Sequence, residues 1–204
     1  MTDKYLDRYM GQEFEPYVIA LGKFALAWND LQYNLCGLFS IVTLEEPPRA
    51  GDAINFVPAY IWHAIKSDRS QLDMLRAAIT TSKLSKGNDL IECGTWLCAR
   101  VTSLEDRRND IMHSALMLAN FGTDTVQVVP NTFLKHPRAK KLEDAVDLLD
   151  EFRSARHTAI LLSDYAEELT RVAMNPHLPW PSKPSLQGRQ QKGTSANPTP
   201  PKKK

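Results

Sequence analysis

The chain lacks most of what would mark a common enzyme, a secreted scaffold or a membrane protein. Cysteine is scarce: Cys36, Cys93 and Cys98 are the only three. An odd number makes no closed disulfide framework, and Cys93 and Cys98 have no second Cys or His pair at zinc-site spacing. They read as small buried hydrophobes of a reducing compartment. No apolar run of about 18 residues occurs, so no spanning helix is expected. The opening Met1-Thr2-Asp3-Lys4-Tyr5 has no basic segment followed by an apolar one, so a cytoplasmic location is expected. Glycine builds no phosphate-cradling loop and no nucleophile elbow. Neither a cofactor nor a metal is expected.

Basic charge is also lacking where a nucleic-acid platform would need it. Residues 176–204 carry six basic residues and no acidic one, which leaves residues 1–175 with 19 basic against 24 acidic, a net of −5. Any contact with RNA must therefore be local rather than spread over the surface. The same terminal stretch alternates Pro176, Pro179, Pro181, Pro184, Pro198, Pro200 and Pro201 with Ser, Gln, Gly and Lys, a composition that predicts loss of order from Asn175 onward. The chain divides on this basis into a domain over 1–175 and a disordered tail over 176–204.

Within the first 175 residues the apolar pattern is helical, and 43% hydrophobic content supplies a core for one domain. Phe14, Val18, Leu21, Ala25, Trp28, Leu31, Leu35, Leu38 and Val42 step by three or four and predict a first helix over 14–43. Asn29 and Asp30 on its other face are candidates to approach the end of the third helix. The Glu45–Asp52 stretch, with two prolines and a glycine, is a loop. A second helical region over 58–82 has its stripe at Ile61, Ile65, Leu72, Leu75 and Ile79, with a kink expected near Ser67 and His63 expected to be packed. Gly87 and Asn88 break the chain before a third helix, striped by Leu90, Cys93, Leu97, Val101, Leu104 and Ile111. Residues 114–119 and 125–129 predict a hairpin. Residues 130–141 predict a basic loop with His136, Arg138, Lys140 and Lys141. A last helix over 142–174 is striped by Ala145, Leu149, Phe152, Ala155, Ala159, Leu162, Ala166, Leu169 and Ala173, with His157 exposed. The fold class is all-α: an up-down bundle of four main helices with a small β-hairpin after the third.

The third helix closes on Arg107-Arg108-Asn109-Asp110-Ile111-Met112-His113-Ser114. At 3.6 residues per turn the slot between Leu104 and Ile111 falls to Arg108, and a guanidinium there is costly unless paired. Asn109 lies i,i+4 from His113 on one side of the helix. Arg108, Asn109 and His113 are the candidate catalytic residues, with Arg107 and Asp110 as candidate substrate contacts.

This stretch resembles the arginine, four-residue spacer, histidine motif of the HEPN superfamily, including a polar residue directly after the arginine. Phe24-Ala25-Leu26-Ala27-Trp28-Asn29-Asp30-Leu31 and the Ile65–Leu75 run are similar to uncharacterised bacterial proteins of that type. The resemblance covers roughly residues 14–173, of which only the motif is diagnostic. It implies a helical bundle that forms a homodimer and, in many members, a metal-independent endoribonuclease, some acting as toxins or phage-defence effectors restrained by an antitoxin or regulatory protein. Metal-free RNA cleavage needs a base, an acid and positive charge on the phosphate. Imidazole suits the proton work, and the guanidinium fork suits the phosphate. One chain supplies one such pair and a two-fold dimer supplies two. Two alternative roles stay open for these residues. One is a non-catalytic HEPN-like nucleotide-binding or protein-interaction module. The other is structural, with Arg108 paired to a first-helix carboxylate such as Asp30 while His113 complements the helix dipole.

Overall fold

Local sequence signals decide where each helix starts and stops. The computed structural model describes residues 11–48, 55–84, 88–120, 126–133, 135, 137–143 and 147–186. It is a helical bundle with one two-stranded antiparallel hairpin, as the patterning predicts. Helix α1 (Glu15–Val42) opens with Pro16 in its first turn, where the missing N–H costs nothing. The second helical region breaks into α2 (Val57–Ala64) and α3 (Asp68–Thr81). The expected kink at Ser67 is a full break, because the Ser67 hydroxyl accepts from the Ser70 N–H and starts a new helix. Buried Gln71 reaches back and donates to the carbonyls of Trp62 (2.9 Å) and Ile65 (3.2 Å), satisfying the end of α2. Helix α4 (Asp89–His113) follows, then β1 (Leu116–Asn120) and β2 (Val126–Pro130), paired with Leu118 opposite Val128.

The stretch expected to be a basic loop holds a short helix, α5 (Pro137–Glu143), which buries Ala139 and Leu142. The last helix consequently begins later than expected, as α6 (Leu148–Met174). Asp147 caps it, its carboxylate accepting from the Asp150 N–H at 2.8 Å. Helix α4 runs antiparallel to α3 and to α6, since Arg69 meets Glu105 while Ile79 meets Gly94, and Arg107 meets Glu151 while Trp96 meets Tyr165. Helix α1 runs alongside α6 in the same direction, joining it through Tyr17–Phe152 and Asn34–Ser163.

Phe24, Leu31, Leu35, Leu72, Leu75, Leu97, Leu104, Phe152 and Leu162 form the centre of one core. On α1 the expected positions Phe14, Trp28, Leu31, Leu35, Leu38 and Val42 are buried, and the buried face is wider than the expected stripe. Val18 is 52% exposed, while Ala20, Phe24 and Ala27 are buried, because α1 is covered from two sides by α6 and by α2 and α3. On α2, Trp62 is the buried anchor, 5.7 Å from the Phe39 ring, and Ile61 and His63 are exposed. The three thiols are buried, and burial pushes the Cys98 thiol up to about 11. Order does not stop at Asn175. Through Leu186 the chain lies along the bundle, where Trp180 and Leu186 pack on the core and Lys183 pairs with Glu92. Their apolar side chains offset the proline-rich composition around them. Among the described residues no helix is long and apolar enough to cross a membrane. Arg49, Gly87, the hairpin tip at 121–125, His136, Ala145 and residues 187–204 lie outside the described residues.

Candidate nucleic-acid site at the end of the fourth helix

The last two turns of α4 are built from charged residues that the bundle holds in different ways. Arg107 turns toward α6. Its Nε and Nη2 donate to the two carboxylate oxygens of Glu151, each at 3.2 Å, and Nη2 also reaches the Ser154 hydroxyl at 3.4 Å. The side chains are 13% and 3% exposed, so this is a buried bidentate pair. Glu151 lies in the first turn of α6, where the helix N-terminus favours a carboxylate.

Arg108 turns the other way, toward α1 and α3. Its guanidinium lies over the Trp28 ring, 5.6 Å from the centroid, and Nη1 donates to the Asn109 side-chain oxygen at 3.0 Å. Its carboxylate partner is Asp68 at 3.8 Å, at the limit of an ion pair, with side chains 31% and 28% exposed. The interior slot between Leu104 and Ile111 is therefore shared. Arg107 is the buried arginine, and Arg108 keeps contact with solvent. The expected approach of Asp30 does not occur. Asp30 lines an open cavity of about 290 Å³ between α1 and α6, with Asn34, Ser163 and Asp164.

Asp110 is buried and faces α5, where the Lys141 ammonium lies 3.6 Å away. That contact ties the end of α4 to α5. His113 is the last residue of α4 and is exposed. The following Ser114 donates its hydroxyl to the Asp110 carbonyl at 2.6 Å, which fixes the helix end beneath it. From Arg108 to His113 the helix rises about 7.5 Å and turns through about 140°. Asn109 accepts from Arg108 and lies about one turn before His113. Arg108, Asn109 and His113 thus share one helix end, whereas Arg107 and Asp110 are drawn into the protein.

Acidic residues surround the same end. Arg69 of α3 pairs with Glu105 at 3.0 Å and Asp106 at 3.1 Å. Burial pushes the Glu105 carboxyl up, and the Arg69 guanidinium beside it offsets part of that rise. Four cations (Arg69, Arg107, Arg108 and Lys141) face five carboxylates (Asp68, Glu105, Asp106, Asp110 and Glu151). Asp68 and Glu151 escape sequence reasoning, because partners 40 or more residues away leave no local signal. Trp28 was legible only as a core position. Chemically, the arrangement offers one guanidinium for an oxyanion, one amide to orient it and one solvent-facing imidazole for proton transfer. Comparison with family models, with curated proteins and with solved structures gives no match to this chain.

Proposed function

We propose that the protein is a metal-independent endoribonuclease of HEPN type, acting as a homodimer through Arg108, Asn109 and His113. One observation carries this reading: a partly exposed guanidinium, bonded to Asn109, and an exposed imidazole close the same helix. In the reaction the ribose 2′-hydroxyl loses its proton to one imidazole and attacks the adjacent phosphorus. The bond to the leaving 5′-oxygen breaks, and that oxygen takes a proton from a second imidazole. The products are a 2′,3′-cyclic phosphate and a 5′-hydroxyl, and Arg108 balances charge on the phosphoryl oxygens. The second imidazole comes from a second copy of the chain, since the described residues of one chain bring His113 no histidine partner. Arg107 and Asp110 hold α4 in place and do not touch substrate. On this reading the protein is a cytoplasmic toxin or phage-defence effector restrained by an antitoxin or regulatory protein.

The test is incubation with a mixed RNA pool in EDTA, beside Arg108→Ala and His113→Ala. Cleavage leaving cyclic-phosphate ends by the wild type alone is the expected result, with growth arrest on expression relieved by His113→Ala. Intact RNA in every lane, from a folded dimer, would favour the second reading, a non-catalytic nucleotide-binding or protein-interaction module. The five carboxylates around the helix end favour that reading.

A further inference from the structure

We propose that Asp68 is an internal competitor for Arg108, occupying the guanidinium until a phosphate oxyanion displaces it. This rests on the phosphate role given to Arg108 above and adds how that site is regulated. Two arginines adjacent in sequence show the contrast. Arg107 is locked by two parallel bonds to a buried carboxylate, and removing it from Glu151 would leave charge in the core. Arg108 meets Asp68 through one nitrogen only, at 3.8 Å and in partial contact with water. Such a pair is weak and exchangeable.

Three further observations make the exchange workable. The Arg108 guanidinium keeps its place without Asp68, because the buried Trp28 ring lies beneath it and Asn109 accepts from Nη1. The described residues offer no acceptor to its Nε and Nη2, so that edge can take two oxygens of a phosphate side by side, which Asp68 does not do. Asp68 also loses little on release. It stands in the first turn of α3, where the backbone N–H groups favour a carboxylate, and the neighbouring Arg69 keeps α3 on α4 through Glu105 and Asp106. The geometry therefore separates a clamp, Arg69, from a gate, Asp68.

The full chain carrying Asp68→Asn tests this, with binding of inorganic phosphate and of a non-cleavable 2′-O-methyl oligonucleotide measured by titration. The Arg108 Nε–H signal in ¹⁵N NMR reports the site directly. Removing the competitor should tighten binding of both ligands about two- to fivefold, the range open to a partly exposed pair. Asp68→Glu, whose longer arm reaches the guanidinium more closely, should weaken binding. The gain should vanish in Asp68→Asn/Arg108→Ala. Unchanged or weaker binding by Asp68→Asn, with helicity intact, would overturn the proposal, as would tighter binding that survives loss of Arg108. Tighter phosphate binding at Arg108 without oligonucleotide binding would uphold the gate and sink the ribonuclease reading. RNA cleavage by the wild type with no Asp68 effect on affinity would do the reverse.

Discussion

Replacing each of the two adjacent arginines by alanine should have unequal consequences for stability. Arg107→Ala leaves Glu151, 3% exposed, without its bidentate partner. Breaking a buried pair from one side costs about 3–5 kcal/mol. The α6 N-terminus and the further interaction of Glu151 retain part of the compensation, so about 2–4 kcal/mol is expected. Arg108→Ala removes a partly exposed pair worth about 0–1 kcal/mol and a cation–π contact of about 0.5–1 kcal/mol. After discounting for solvent, about 1 kcal/mol is expected. The difference is measured by urea unfolding followed by circular dichroism at one protein concentration, because dimerisation would otherwise shift the midpoint. In melting temperature it corresponds to about 2–4 °C per kcal/mol. Equal destabilisation, or a larger loss with Arg108→Ala, would refute the assignment of Arg107 as the anchor and Arg108 as the exchangeable group.

Three other outcomes are expected. Gly94→Ala should destabilise by about 1 kcal/mol despite better helix propensity, because the new Cβ would lie 2.6 Å from Ile79 Cδ1 and 3.0 Å from Cγ2. The loss should shrink in an Ile79→Val background; strictly additive losses in urea would argue against the contact. Glu105 has a raised carboxyl pKa, so the folded state carries an ionisation penalty that is present at neutral pH and disappears as pH falls below the usual carboxylate range. Glu105→Gln should therefore gain on the wild type most at pH 7 and least at pH 4, and a gap that widened on acidification would contradict the sign. The Cys98 thiol, raised to about 11 by burial, should be the slowest of the three to react with an aromatic disulfide in the native protein and indistinguishable in denaturant.

Periodicity and local composition determined the helical class, the long helices that became α1 and α4, the hairpin after the motif and the burial of Leu97, Leu104, Phe152 and Leu162. These properties follow from side-chain spacing along a local period, which the chain carries in its own order. The break at Ser67 and the cap at Asp147 also have local causes, one of them visible as an expected kink. What the tertiary structure decided was direction. Whether Arg107 or Arg108 enters the core depends on which neighbour lies on each side of α4. Glu151 draws one arginine inward, while Trp28 and Asp68 hold the other at the surface. Asp30 was an equally reasonable partner by spacing, and the parallel course of α1 and α6 sends it to a different cavity. Trp180 and Leu186 pack although their surroundings are rich in proline, because burial of two apolar side chains depends on a groove made by distant helices. The charge at the end of α4 is a sum over residues far apart in sequence, and only folding brings those terms within a few ångströms.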